Sequence, residues 1–194
     1  MLCLAMRVKV FVLTKGQDDP DKCTAERLIR RGIARRIVRV KEIPSGAIVL
    51  NPFAKRVLTP LDRDAASRAG IVAIDVSWKA GVEYLKKVRR GFQRVLPILI
   101  AANPINYGKP FKLSTAEALM AALYIMGFRD DALRIAKEFK WGPVFLDLNR
   151  DLLDEYSQAR SENEVLEVIC VKFGIEKCES AAILYALRRS VDLE

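Results

Sequence analysis

The chain has 194 residues, of which 51% are hydrophobic and 29% charged, a composition typical of a globular protein and not of a disordered one. Its formal charge of +9 points to a polyanionic partner, most often nucleic acid, although a generically basic protein would carry the same charge. The absence of histidine excludes the usual Ser-His and Cys-His nucleophile pairs and most zinc sites, and no apolar run approaches the roughly 18 residues of a membrane-spanning helix. We therefore expect a cytoplasmic protein that binds no metal and no membrane.

The first half of the chain alternates between strand-like and helix-like patterns. Strands are predicted over residues 7–13, 47–50, 71–76 and 95–102. Helices are predicted over residues 23–32, 59–70 and 80–90. This alternation favours an α/β fold with a mainly parallel sheet, in which ligands bind beyond the carboxyl ends of the strands. Asp75 lies at such an end, where a carboxylate is as often a helix cap as a catalyst.

Basic residues are concentrated in two of these helices. Arg27, Arg30 and Arg31 are spaced i, i+3 and i+4, so they share one helix face. A face of this kind is often only solvated, but its density of positive charge favours contact with RNA phosphates. The predicted RNA-binding residues are Arg27, Arg30, Arg31, Arg35, Arg36, Lys86, Lys87, Arg89 and Arg90.

A turn-rich loop leads into a strongly apolar helix over residues 101–127. Ser114 precedes Glu117 by three residues, which is the capping-box spacing at a helix start. A helix that is apolar on almost every side belongs in a core. Long ordered loops are usually functional, so we expect a binding site here, the alternative being an ordinary loop before a core helix.

Beyond this point the chain is predicted to be helical throughout, over residues 129–140, 143–156, 162–173 and 177–191. The best boundary divides an N-terminal α/β domain, residues 1–92, from a mostly helical C-terminal domain, residues 93–194. The four cysteines show no C-x-x-C spacing; Cys170 and Cys178 could pair, although buried thiols are the simpler interpretation. A monomer is expected, although the apolar face of the last helix would also suit an interface.

No phosphate loop, dinucleotide-binding glycine pattern or nucleophile elbow is present. Five segments nonetheless resemble one family: DDPDKCT (18–24), VLNP (49–52), IDVSWK (74–79), LPILIAANPINYGKPFKLSTAEALMAALYIMGF (96–128) and FKWGPVFLDLN (139–149). With them the chain resembles the ribosomal RNA aminocarboxypropyltransferases of small-subunit ribosome biogenesis, and its compact length resembles the archaeal members. It departs from the family at Val76, where cysteine is frequent, and at Ala25, where glycine is common.

The resemblance implies a fold like that of the SPOUT methyltransferases, with S-adenosylmethionine held in a C-terminal trefoil knot. It also implies transfer of the 3-amino-3-carboxypropyl group to ring nitrogen 3 of a pseudouridine, N1-methylated or not, in small-subunit rRNA, with release of methylthioadenosine. Two alternatives are a base methyltransferase on the same fold and a non-catalytic RNA-binding assembly factor. An iron–sulfur module at the N-terminus is disfavoured, since Cys23 is the single cysteine of that region.

The resemblance also implies which residues bind the cofactor. They are Thr24, Leu50, Pro52, Ser67, Ile74, Trp78, Leu96, Phe111, Leu113 and Thr115. Thr24 and Thr115 would hold the amino acid end, the backbone of Ile74 the ribose, and the backbones of Leu96 and Phe111 the adenine edge. The remaining residues would line the pocket.

Three further roles are attached to this implied site. The amides of Ser114 and Thr115 at the helix start suit the cofactor carboxylate. Trp78 would cover the sulfonium and its methyl group. Asp75 would orient or deprotonate the uracil imide as the catalytic residue, the alternative being a structural role with positioning alone sufficient for catalysis.

Overall fold

The computed structural model describes residues 6–14, 23–76 and 78–175, with residues 78–82 described by their backbone alone. Within these residues five strands form one sheet: β1 Val10–Thr14, β2 Arg35–Ile37, β3 Ile48–Leu50, β4 Ile71–Asp75 and β5 Phe92–Arg94. The strand order is β2-β1-β4-β3-β5 and every pairing is parallel. The prediction of a mainly parallel α/β sheet is therefore confirmed.

The helices described lie between the strands and after the sheet. They are α1 Thr24–Arg30, α2 Arg63–Ala69, α3 Trp78–Lys87, α4 Thr115–Ile125, α5 Arg129–Ala136, α6 Gly142–Leu148, α7 Arg150–Gln158 and α8 Glu162–Phe173. Short 3-10 turns occupy Val40–Glu42 and Pro60–Asp62. Among the described residues no helix has the length and apolarity needed to cross a membrane.

Because side chains alternate along β1, they point into two separate hydrophobic cores, one on each face of the sheet. Val10 and Val12 join the larger core, which includes α1, α2 and the apolar residues of α4. Phe11 and Leu13 face the opposite side, where a smaller core includes Val88 just after α3. Both faces of the parallel sheet are thus covered, as such sheets require.

The connections of the sheet diverge between β1 and β4. The chain leaves β1 through α1 for β2 at one edge, whereas it leaves β4 through α3 for β5 at the other edge. Thr14 and Asp75 are register partners at the carboxyl ends of these two strands. Such a switch point opens a crevice beyond the strands, and it places Asp75 at the edge of that crevice.

The strand predicted over residues 95–102 is wrong, because β5 ends at Arg94 and no strand follows it as far as residue 175. Pro97 has no amide with which to continue a ladder, and Val95 and Ile100 form only isolated bridges. The apolar side chains that suggested a strand are instead buried in the larger core. The Tyr156 hydroxyl donates to the carbonyl of Ile98 at 3.1 Å, so a side chain far away in the sequence takes the place of a neighbouring strand as hydrogen-bond donor.

Several other boundaries also differ from prediction. The helix predicted over residues 143–156 is two helices, broken at Asn149, whose side chain accepts from the Ile100 amide at 2.7 Å. The short edge strand β2 was not predicted, since two of its three residues are exposed arginines. Cys170 is disulfide-bonded, so its interpretation as a buried thiol is wrong. Cys178 and the helix predicted over residues 177–191 lie outside the described residues.

Candidate active site

A cavity of about 860 Å³ opens at the carboxyl ends of β3 and β4, beside the switch point of the sheet. Leu50 and Asn51 at the end of β3 and Ile74 and Asp75 at the end of β4 form its floor. The segment from Val95 to Thr115 supplies much of its wall, together with the start of α1. Its size is that of pockets that bind small molecules and cofactors.

Most of the residues predicted to bind a cofactor line this cavity. They are Thr24, Leu50, Pro52, Ile74, Leu96, Phe111, Leu113 and Thr115, and the predicted catalytic residue Asp75 lies with them. Ser67 is not among the lining residues, because it lies on the exposed side of α2. Trp78 is the first residue of α3, directly beyond the floor, and its side chain is outside the described part of the chain.

Asp75 is the centre of the polar end of the cavity. Its carboxylate accepts a hydrogen bond from the Thr115 hydroxyl at 2.8 Å and one from the Cys23 thiol at 3.4 Å. Thr24 completes the cluster, since its hydroxyl oxygen accepts from the Ala116 amide at 3.3 Å. The starts of α1 and α4 therefore meet at the end of β4, and Asp75 is held in one orientation by donors from both helices.

The Cys23 thiol remains protonated in this environment. Burial raises its pKa to about 11, the neighbouring Asp75 carboxylate adds to the increase, and backbone donors at Glu26 and Ala25 oppose it. A thiol with so high a pKa is a poor nucleophile and a poor metal ligand near neutral pH. Cys23 is thus a hydrogen-bond donor to Asp75 and not a reactive group.

The amino end of α4 offers fewer amides to a ligand than the sequence suggested. The capping box is confirmed, because the Ser114 hydroxyl accepts from the Glu117 amide at 3.3 Å. The Ser114 amide, however, donates to the Glu117 carboxylate at 2.7 Å, so it is not available to a bound carboxylate. The Thr115 amide has no acceptor within the described residues, and it lies at the positive end of the helix dipole.

Glu117 also joins α4 to the other end of the loop. Its buried carboxylate accepts from the backbone amides of Ala102 and Asn103 at 2.7 and 2.9 Å, and from the Asn103 side chain at 2.7 Å. It accepts from the backbone and hydroxyl of Ser114 as well, at 2.7 and 2.8 Å. One carboxylate thus fixes both ends of the loop that forms the cavity wall, a role that its capping position alone did not reveal.

Phe111 has a strained backbone within this wall. Its φ of 66° lies in the left-handed region, which is uncommon for a residue other than glycine, asparagine or aspartate. Its amide donates to the carbonyl of Leu99 at 3.2 Å, so the Phe111 backbone can present only its carbonyl to a ligand. At Leu96 neither backbone group bonds to a described residue, which leaves both able to contact an adenine edge.

The sequence prediction missed an aromatic part of the lining. Phe139 and Trp141 line the cavity, with their ring centroids 4.9 Å apart. The guanidinium of Arg27 lies 5.1 Å from the Phe139 ring, so this residue belongs to the cavity as well as to the basic helix face. The FKWG segment was already part of the family resemblance, and that was the available signal for these two aromatic residues.

The basic residues predicted to bind RNA are on the surface, but several are engaged within the protein. Arg31 pairs with Glu138 at 3.2 Å, Arg36 pairs with Glu26, and Lys86 pairs with Glu83 at 3.4 Å. Arg90 donates to the carbonyl of Ile43, and Arg30 also has an intramolecular interaction. Arg35, Lys87 and Arg89 are exposed, and their side chains form no ion pair or hydrogen bond with a described residue, whereas Arg27, also exposed, lies over the Phe139 ring.

The chain is similar in sequence and in structure to proteins that are already known. The family described as "Ribosome biogenesis protein, C-terminal" matches residues 48–171. The 16S rRNA aminocarboxypropyltransferase of Vulcanisaeta distributa is 46% identical over 173 residues, which are 87% of this chain and 94% of that protein. That of Methanopyrus kandleri is 48% identical over 160 residues, covering 82% and 95% of the two chains. The solved structure of the SAM-dependent rRNA:acp-transferase of Vulcanisaeta distributa matches with a TM-score of 0.77 at 44% identity, covering 94% of this chain and 98% of that one.

A second family, described as a "Possible Fer4-like domain in RNase L inhibitor, RLI", matches residues 8–42. An iron–sulfur cluster of this type needs four thiolate ligands, whereas Cys23 is the one cysteine in that segment. The Cys23 thiol is protonated and bonded to Asp75, and the described residues contain no group of three or more possible metal ligands. This segment therefore does not fit an iron–sulfur cluster.

Proposed function

The chain belongs to the 16S rRNA aminocarboxypropyltransferases, and we propose that it transfers the 3-amino-3-carboxypropyl group to ring nitrogen 3 of a pseudouridine in small-subunit rRNA. S-adenosylmethionine is the donor, methylthioadenosine is the by-product, and the pseudouridine carries an N1 methyl group or none. The observation that carries the proposal is the cavity at the switch point, which gathers eight of the ten residues expected to bind the donor.

The cavity has the two kinds of surface that S-adenosylmethionine requires. Its polar end holds the Asp75 carboxylate, which suits the cationic part of the donor, and the Thr115 amide, which suits the carboxylate. Leu50, Pro52 and Leu113 supply apolar wall for the adenosine and the methyl group. Ser67 is not part of this proposed site, whereas Trp78 remains in it on the resemblance alone.

Positioning selects the group that is transferred. When bound, S-adenosylmethionine supplies a sulfonium flanked by three electrophilic carbons, and the residues around it decide which carbon faces the RNA. In a methyltransferase the methyl carbon faces the nucleophile. Here apolar walls enclose the methyl group and leave the aminocarboxypropyl carbon open to the RNA, so that this carbon is attacked instead. We assign Trp78 to the methyl group in this scheme.

Asp75 acts on the nucleobase in the proposed reaction. The imide proton leaves ring nitrogen 3, a nitrogen–carbon bond forms, and the carbon–sulfur bond breaks with its electron pair on sulfur. The two hydrogen bonds from Thr115 and Cys23 orient the Asp75 carboxylate and leave its other lone pairs to accept the imide proton. Cys23 cannot compete as a nucleophile, because its thiol stays protonated.

The basic surface suits an RNA substrate, and Arg27 connects it to the cavity that it also lines. The nine predicted basic residues contact phosphates, and the exposed side chains of Arg35, Lys87 and Arg89 contribute most. The target nucleotide lies in a loop, since ring nitrogen 3 is occupied in a duplex. We further propose a cytoplasmic monomer of two domains, residues 1–92 and 93–194, in which the C-terminal domain holds a trefoil knot at the cofactor site.

Incubation of the full chain with small-subunit rRNA and two differently labelled donors tests the proposal. We expect label in the aminocarboxypropyl group to be retained in RNA, label in the methyl group to be released as methylthioadenosine, and mass spectrometry to locate the product nucleoside. Retention of the methyl label with release of adenosylhomocysteine would instead identify a methyltransferase. Binding of RNA without any binding of the donor would identify a non-catalytic assembly factor.

A further inference from the structure

The loop over residues 103–109 exposes two large apolar side chains beside the cavity. Ile105 is 78% exposed and Tyr107 is 64% exposed. Ile105 is itself part of the cavity lining, together with Pro104 and Asn106, and Tyr107 follows directly after these residues in the chain. Scattered exposed apolar residues are ordinary on a protein surface, but two on one loop at the entrance to a site indicate a contact.

This loop is held in one conformation by its own hydrogen bonds. The Ala101 amide donates to the Lys109 carbonyl at 3.0 Å, and the Gly108 amide donates to the Ala101 carbonyl at 2.8 Å. The Asn103 side chain accepts from the amides of Ile105 and Asn106 at 3.2 and 3.1 Å while donating to the buried Glu117. A backbone that is already fixed in this way loses little conformational freedom when its exposed side chains bind a partner.

The positive charge of this loop and of the residues after it favours RNA as the partner. Residues 101–114 include Lys109 and Lys112 and contain no acidic residue. Lys109 is exposed two positions after Tyr107, and Arg27 lines the same cavity. An exposed aromatic ring on a loop that carries lysines and no acidic residue matches the way proteins bind single-stranded RNA, in which a base stacks on the ring and the phosphates contact the cations.

We propose that Tyr107 stacks on a base of the substrate RNA adjacent to the target nucleotide, with Ile105 packed against the same base or its sugar. This contact holds the RNA loop at the mouth of the cavity while the target base enters toward Asp75. Stacking tolerates any base, so Tyr107 positions the RNA without reading its sequence. The inference rests on the proposed function, since it requires an RNA substrate at this cavity.

The test compares Tyr107→Ala with Tyr107→Phe, which keeps the ring and removes the hydroxyl. The control is Phe173→Ala, which removes a partly exposed ring at the end of α8, away from the cavity lining. Aminocarboxypropyl transfer to small-subunit rRNA is measured as a function of RNA concentration, and donor affinity and Tm are measured in parallel. We expect Tyr107→Ala to raise the KM for RNA by about 5- to 150-fold, the range expected for loss of one stacked base.

Further outcomes separate this inference from its alternatives. Tyr107→Phe and Phe173→Ala should resemble the wild type, and donor affinity, Tm and the salt dependence of RNA binding should stay unchanged in Tyr107→Ala. An unchanged KM in Tyr107→Ala, or an equal loss in Tyr107→Phe, overturns the stacking contact. A defect seen with ribosomal particles but not with free rRNA assigns the surface to a protein partner and also overturns it. If the wild type itself transfers nothing to RNA, the proposed function fails, which is a different result.

Discussion

Replacing Glu117 with glutamine should destabilise the protein and weaken donor binding together. The carboxylate is fully buried and accepts from three backbone amides and two side chains, contributed by Ala102, Asn103 and Ser114. Glutamine has nearly the same shape, but it keeps one acceptor oxygen and presents an NH₂ group in place of the other. The substitution therefore changes hydrogen bonding with little change in packing.

The expected magnitude follows from the donors that are left without a partner. If the amide oxygen faces Ala102, the NH₂ group faces the Asn103 side chain and the Ser114 amide, while the Ser114 hydroxyl rotates to become an acceptor. Each unsatisfied buried donor costs about 1–3 kcal/mol, so two donors cost about 2–6 kcal/mol. Because Ser114 is only partly buried, solvent reduces this cost, and we expect a loss of about 2–4 kcal/mol, or a Tm decrease of roughly 5–15 °C.

Urea denaturation gives the change in the free energy of unfolding, and calorimetric titration with S-adenosylmethionine gives donor affinity. The matched control is Glu164→Gln, at the same spacing from the helix cap Ser161 in α8. Glu164 accepts from the Arg160 amide at 2.8 Å, but it is partly exposed, so its replacement should change stability by no more than about 0.5 kcal/mol.

Two results would refute this reasoning about Glu117. A destabilisation below about 1 kcal/mol, equal to that of Glu164→Gln, would mean that water or rearrangement satisfies the loop donors at little cost. A large destabilisation with unchanged donor affinity would mean that the loop does not shape the cavity.

Three further predictions concern the site and its surface. Asp75→Asn should lower turnover at saturating donor and RNA by about 10²-fold or more, because an amide cannot accept the imide proton. The Cys23 thiol, with a pKa raised from 9.0 to about 11 by burial and by Asp75, should alkylate slowly at pH 8.5. Because the folded state binds this proton more tightly than the unfolded state does, the protonated thiol contributes its full stabilisation below pH 9. This contribution to the free energy of unfolding is lost as the pH rises to about 11, and the Cys23→Ala variant should not show this pH-dependent decrease. Arg35→Ala should reduce the slope of log affinity for RNA against log salt by about 0.7, whereas Arg36→Ala, which breaks a pair with Glu26, should reduce it less.

Each of these three predictions has a contrary result. Full turnover of Asp75→Asn at saturating donor would remove this carboxylate from the mechanism. Alkylation of Cys23 is followed over time by peptide mass spectrometry. A rate equal to that of a cysteine in an unstructured peptide would contradict the burial of Cys23 beside Asp75. Equal salt slopes for Arg35→Ala and Arg36→Ala would show that the ion pair with Glu26 does not reduce contact with phosphate.

Local patterns in the sequence predicted the elements of this fold well. The Ser114–Glu117 spacing predicted the start of α4, and the helix predicted over residues 162–173 has the same bounds as α8. Both succeed because helix caps and apolar periodicity act over three or four residues. The segment over residues 95–102 failed because an apolar run is equally compatible with a strand and with a buried irregular segment. What decided between them was Tyr156, 58 positions away from the Ile98 carbonyl that it contacts.

The sequence by itself determined the parallel α/β architecture, the buried helix α4, the basic surface and, through the family resemblance, eight of the residues that line the cavity. Only the tertiary structure decided that Thr24, Asp75 and Thr115 meet at one point, that Ser67 lies outside, and that Glu117 joins both ends of the loop. The physical reason is that strand order sets which carboxyl ends are neighbours. β1 and β4 are adjacent in the sheet although the register partners Thr14 and Asp75 are 61 positions apart in the chain, so the site forms from chain segments that no local pattern connects.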